Sequence, residues 1–264
     1  MRVVDSVKRM NLDVSGVRLS VQRAGSGKPV IFLHGSGGTL TWHPYFDALA
    51  GAYALAIPDH PGFGHSENPD WIRTVDDIAL LYLDLLEAQD LHGVHLIGHS
   101  LGGWIAAELA MRNCSRLASV TLIASAGVRV KGLPCADNFI WTPEESARNL
   151  FYDQAYAERA LAWVPTDEEA DIVVGNRFAA AKLGWQPRWY DPDLPKWLHR
   201  VRVPAHVIWG AHDNLFPAAY AARWCELLPD ARRLIVEAAG HSPHVEQSAN
   251  VAAETLAFLR EHDA

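Results

Sequence analysis

Residues 98–102 read Gly98-His99-Ser100-Leu101-Gly102, a serine with a glycine two positions to each side. The apolar run VHLIG (94–98) precedes it, and a run with helical spacing, Leu101 to Arg112, follows. A serine on a strained strand-to-helix turn presents its Oγ outward, and bulk two positions away would strike neighbouring backbone. The glycines therefore make room for an exposed hydroxyl. The helix that opens at Leu101 adds a free backbone N–H and a dipole that favours a developing anion.

A serine hydroxyl is a poor nucleophile at neutral pH, so this chemistry needs a base and a carboxylate to orient the base. His241 lies in AAGHSPH, just after the strand-like run RLIVE (233–237). Asp213 lies in WGAHDNLFP, just after the strand-like run AHVIWG (205–210). Both would stand at the edge of the sheet where Ser100 emerges, in the chain order Ser, Asp, His. The segment ASAG from position 124 offers no competing acid.

Those positions depend on the elements around them. VIFLH (30–34), YALAI (53–57), VHLIG (94–98), SVTLIA (119–124), AHVIWG and RLIVE read as buried strands, and Val17 to Arg23 alternates like an earlier one. Helical spacing occupies Val75 to Gln89, Leu101 to Arg112, Ala218 to Leu228 and Val245 to Arg260. Alternating strands and helices predict a doubly wound α/β sheet, mostly parallel, with helices on both faces.

The rhythm breaks between 127 and 202, which carries no convincing strand. It holds helical segments near 143–163 and 167–183, the loop-like WQPRWYDPDLPKW, and five of the chain's ten tryptophans. An aromatic insertion of this length reads as a helical lid, with 1–126 and 203–264 forming the core domain. Its tryptophans either hold the lid together or line a partly apolar pocket.

Composition limits the function classes. With 264 residues, 49% of them hydrophobic, the chain can bury a large core as one globular unit. A net charge of −8 with scattered Lys and Arg gives no basic face for nucleic acid. Cys114, Cys135 and Cys225 fit neither a disulfide framework nor a thiolate metal site, so reduced thiols and a cytoplasmic location are expected. The start MRVVDSVKRMNLDV lacks a signal-peptide apolar core, and no stretch is long and apolar enough for a membrane span. The histidine pairs His206/His212 and His241/His244 lack an accompanying HExxH or carboxylate cluster, and HGSGG lacks a P-loop lysine, so neither a metal nor a cofactor is expected.

The separated motifs HGSGG (34–38), DHPGFGHSE (59–67), GHSLGG (98–103), GAHDNLFP (210–217) and GHSPHVEQ (240–247) make the chain resemble the α/β-hydrolase family, in particular its small lidded esterases and hydrolases. The resemblance implies the α/β-hydrolase fold with a lid after the sixth strand, and Ser100, Asp213 and His241 as catalytic residues. It implies an oxyanion hole built from the backbone N–H groups of Ser36 and Leu101, and a structural role for Asp59 and Ser66. His99 is expected to be packed and hydrogen-bonded, His34 to brace the oxyanion loop, and His244 to be the fallback base.

The expected substrate is a modest-sized, partly apolar ester or related acyl compound. Similar lidded members cut carboxylic esters, lactones or the carbon–carbon bond of vinylogous diketones. The carbon–carbon hydrolases usually carry asparagine before the nucleophile and tryptophan after the histidine, where this chain has His99 and Ser242. That departure favours an ester. A receptor with slow turnover and an acyltransferase using the same residues stay open, as does a homodimer.

Overall fold

The structure, a computed structural model, describes residues 7–263. The first six residues of the amino-terminal segment, read above for a leader, therefore lie outside the described residues. Eight strands form one sheet: β1 (Lys8–Val14), β2 (Val17–Ala24), β3 (Pro29–Leu33), β4 (Ala54–Pro58), β5 (Val94–His99), β6 (Leu117–Ile123), β7 (Ala205–Gly210) and β8 (Ala231–Val236). Their order is β1-β2-β4-β3-β5-β6-β7-β8. β2 runs antiparallel to both neighbours, and all other pairs are parallel.

The continuous apolar runs behave as doubly covered strands should, because alternate side chains enter opposite layers. Ile31 and Leu33, Leu96, Val120 and Leu122, and Val207 and Trp209 join one apolar cluster. Val30 and Phe32, Ile97, Ile123 and Ile208 join the other. The first layer is covered by α2 (Val75–Ala88) and α3 (Leu101–Arg112), and the second by α1 (Pro44–Ala50), α9 (Pro243–Glu246) and α10 (Ser248–Glu261). α8 (Ala219–Leu227) packs on β7 and β8.

Several elements depart from the sequence reading, three of them outside the stretch between β6 and β7. β1 is an edge strand whose residues are mostly exposed; Met10, Leu12 and Val14 alternate with polar residues, but the segment holds no continuous apolar run of the kind that marks the inner strands. α1, opened by Pro44, is short and was not distinguished from the surrounding loop. The helix expected over 245–260 starts at Pro243 and is interrupted at Gln247.

Between β6 and β7 the chain forms α4 (Pro143–Leu150), α5 (Gln154–Ala162), α6 (Asp167–Gly184) and α7 (Leu194–Trp197). The segment expected as one helix near 143–163 is two, because Asp153 caps a new helix by accepting the Ala155 N–H. α4 and α6 open with Thr142/Glu145 and Thr166/Glu169 capping boxes. The stretch read as loop-like contains α7 and a cis Gln186–Pro187 bond.

Much of the insertion's aromatic content is spent on its own cohesion. Trp189 stacks on Phe139 with centroids 4.8 Å apart and donates its indole N–H to Asn138. Arg188 lies over Trp185 and pairs with Asp137. Its two ends are joined by Gly127 N–H donating to Trp189 O and Asp191 N–H donating to Gly127 O, and it is tied to the core by His241 N–H donating to Leu150 O and Ala136 N–H donating to Leu215 O. Among the described residues, no helix is long and apolar enough to cross a membrane.

Candidate active site

Parallel strands place their carboxyl ends along one edge, the common location of ligand crevices in α/β sheets. β3, β5, β7 and β8 end there, followed respectively by the HGSGG loop, Ser100, Asp213 and His241. Ser100 has φ 52° and ψ −114°, a conformation costly for a residue with a Cβ. The turn is tight for a visible reason. A Cβ on Gly98 would lie 2.2 Å from Gly102 O, and one on Gly102 would lie 2.0 Å from Leu33 O. Ser100 N–H donates to Ile123 O, and the Ser100 carbonyl accepts from Gly103, Trp104 and Ala126.

The three residues expected to act together converge. Ser100 Oγ–H donates to His241 Nε2 at 2.9 Å, and His241 Nδ1–H donates to Asp213 Oδ2 at 2.8 Å. Asp213 Oδ1 accepts the N–H groups of Leu215 and Phe216, which fixes the carboxylate plane. All three residues are at most 6% exposed, so little water competes for these bonds. The Phe216 ring packs edge-on against His241. This arrangement can move a proton from the serine to the imidazole and stabilise the resulting imidazolium.

The HGSGG loop holds Ser36 in a turn closed by Gly38 N–H donating to Gly35 O. Among the described residues, neither the Ser36 nor the Leu101 N–H donates to a protein acceptor, which leaves both donors available. His34 Nδ1–H donates to Gly35 O at 2.7 Å. Behind it, His60 N–H donates to His34 Nε2, His60 Nε2–H to His34 O, and the Tyr82 hydroxyl to His60 Nδ1. Burial lowers the pKa of both His34 and His60, so neutral rings and fixed tautomers match these bonds.

His99 donates its Nε2–H to the His241 carbonyl, and burial with the neighbouring His241 pushes its pKa down to about 3. His244 packs against His99, Tyr45 and Phe32, and burial holds its pKa well below the ordinary value. It is His241, not His244, that bridges Ser100 and Asp213. Asp59 and Ser66 knit the 59–67 turn, with Asp59 pairing with Arg9 and the Ser66 hydroxyl bonding to Asp59 O.

Two buried residues near the site escaped the sequence reading. Glu246 Oε1 accepts Gly240 N–H, while Oε2 accepts the N–H groups of Tyr152 and Asp153 in the insertion. Its one sequence signal is its place in the motif GHSPHVEQ. Asn176 of α6 reaches the HGSGG loop and the 59–67 turn, with no sequence signal at all. Elsewhere, ligand atoms of Asp76, Glu108 and Asp191 lie within 4.8 Å of one another, but Arg112 pairs with Asp76 and Glu108 and occupies that charge.

Sheet order, turn and hydrogen-bond geometry thus define a hydrolase of the α/β class. A match to the alpha/beta hydrolase family covers residues 30–254, and the chain belongs to that family. It is 31% identical over 245 residues to the dihydrolipoyllysine-residue acetyltransferase component of the acetoin cleaving system of Pseudomonas putida, covering 89% of this chain but only 64% of that relative's length. It is 28% identical over 264 residues to a 2-hydroxymuconate semialdehyde hydrolase of a Pseudomonas species, covering 95% of this chain and 93% of the relative. A meta-cleavage product hydrolase of Pseudomonas fluorescens shares the fold, with TM-score 0.81 and 21% identity across 96% of this chain and 97% of that one.

Proposed function

We propose that this α/β hydrolase cleaves a carboxylic ester or related acyl bond of a modest-sized, partly apolar small molecule. The observation that carries the reading is the unbroken hydrogen-bond chain from Ser100 through His241 to Asp213. Ser100 Oγ attacks the carbonyl carbon as His241 Nε2 takes its proton. The carbonyl oxygen becomes an oxyanion held by the N–H groups of Ser36 and Leu101. The tetrahedral adduct collapses, His241 returns the proton to the departing alcohol, and an acyl-serine remains. Water, deprotonated by His241, attacks that ester; the acid leaves and Ser100 regains its proton. Residues 127–202 act as the lid over a core made of 1–126 and 203–264.

The 2-hydroxymuconate semialdehyde hydrolase relative favours a second reading, hydrolysis of a carbon–carbon bond in a vinylogous diketone. Against it, His99 stands before the serine and Ser242 after the histidine, where carbon–carbon hydrolases usually carry asparagine and tryptophan, and this departure supports the ester. The test compares p-nitrophenyl esters from acetate to decanoate with a 2-hydroxy-6-oxo-2,4-dienoate, using wild type and Ser100→Ala. Serine-dependent ester turnover with a chain-length optimum and slow dienoate loss is expected. Fast dienoate loss with negligible ester turnover would replace the ester reading by the carbon–carbon one.

A further inference from the structure

The loop that carries Ser36 is built almost without side chains, since Gly35, Gly37 and Gly38 surround it. Glycine backbone has wide conformational freedom, so a donor placed on such a loop keeps its direction only if neighbouring peptide groups are tied down. The two carbonyls flanking Ser36 are both tied. Gly35 O accepts from His34 Nδ1–H and from Gly38 N–H, on the core side. Gly37 O accepts from Asn176 Nδ2 at 2.9 Å.

Asn176 stands on α6, in the insertion, and is only 2% exposed. Both ends of its amide are used, because Oδ1 accepts Gly64 N–H at 2.9 Å from the 59–67 turn. The fit is close: a Cβ on Gly38, which has φ +78°, would lie 2.4 Å from Asn176 Nδ2. A buried amide with both ends satisfied by fixed backbone groups has one low-energy orientation.

We propose that Asn176 is a positioning residue of the oxyanion hole: the Gly35–Ser36 peptide is held from the core side, and docking of α6 supplies, through Gly37 O, the second restraint that keeps the glycine loop, and with it the Ser36 donor, in its aimed conformation. The proposal rests on the reading of Ser36 N–H as an oxyanion donor. Asn176 does not touch the substrate; it acts through Gly37 O on the loop. Movement of α6 away from the core would therefore loosen the hole as well as uncover the site.

The test uses a fluorophosphonate probe, which phosphonylates an activated serine through an oxyanion-stabilised transition state whatever the natural acyl group. The full chain is compared as wild type, Ser100→Ala, Asn176→Ala and Asn176→Asp at pH 8, the last retaining the acceptor for Gly64 N–H should Asn176→Ala fail to fold. Rate constants are read and divided by the folded fraction of each variant measured by circular dichroism, so that a loss of stability alone does not register as slower labelling. Inhibition by an alkylboronic acid, whose tetrahedral adduct places an oxygen in the hole, is read in parallel.

The expected result is labelling of wild type only at Ser100, with labelling about 10- to 100-fold slower and boronate inhibition comparably weaker in the Asn176 variants. Labelling within about threefold of wild type, with lowered thermal stability alone, would overturn the positioning role and leave the serine reading intact. A wild type that is not labelled at Ser100 would overturn the serine reading and this proposal with it.

Discussion

At Ser100 the left-handed backbone is a cost the protein sustains to aim Oγ at His241, so replacing this proposed nucleophile should matter for stability as well as activity. Ser100→Gly is expected to be more stable than Ser100→Ala by about 1 kcal/mol, the relief of strain exceeding glycine's greater unfolded-state entropy. Denaturant midpoints check this, and both variants should be inactive. Asp213→Asn should keep the fold but lower kcat by up to about 10⁴, because an amide can donate toward Nδ1 and stabilise the wrong tautomer. Steady-state kinetics on the best p-nitrophenyl ester measure it. The residues of this chain of bonds were legible because each follows a strand end in the order the fold requires. Asn176 and Glu246 were not, since their partners come from segments distant in the chain: Gly37 and Gly64 for one, Tyr152 and Asp153 for the other.

Among the elements, the β5–turn–α3 unit leaves no space for a methyl group. Gly102→Ala would place carbon against the Leu33 carbonyl, the last residue of β3, and force the strand and helix apart. Loss of soluble folded protein, or a sharply lower melting temperature with no activity, is the expected outcome. The His241 loop depends on the insertion in a comparable way, because His241 N–H donates to Leu150 O and Glu246 accepts Gly240 N–H from that loop together with the Tyr152 and Asp153 N–H groups at the α4–α5 junction. Glu246→Ala would leave those donors without their acceptor and is expected to cost about 2–3 kcal/mol, read by denaturant unfolding. Strands covered on both faces were legible from their apolar runs, whereas β1 was not, because an exposed edge strand carries no such run. The break between α4 and α5 was missed for a different reason. A local cap at Asp153 decides it, within a segment whose helical spacing looks continuous.

For the whole molecule, one buried acid sets a pH dependence of stability. Glu108 is fully buried on α3, and burial pushes its carboxyl up to about 7, opposed by Arg112 and the Trp104 indole and assisted by Asp76. The native state therefore holds this proton more tightly than the unfolded chain. Its contribution is complete below the ordinary carboxyl value of 4.5 and is lost as pH rises through about 7. Melting temperatures across pH 4.5 to 8 should fall more steeply in wild type than in Glu108→Gln, where no proton is exchanged; equal slopes would mean that Glu108 does not titrate there. The overall architecture was legible from alternation of strands and helices, and the helical stretch between β6 and β7 from the interruption of that alternation. What that stretch contributes around Ser100 was not, because backbone and amide contacts between segments distant in the chain leave no periodic trace.

An acyl-enzyme at Ser100 is what the proposed reaction requires, and pre-steady-state release of p-nitrophenolate from a short-chain ester measures its formation. An initial serine-dependent release is expected, with the acyl group found on Ser100 when the reaction is quenched and no release from Ser100→Ala. Undiminished turnover by Ser100→Ala, or an acyl group recovered on another residue, would contradict it.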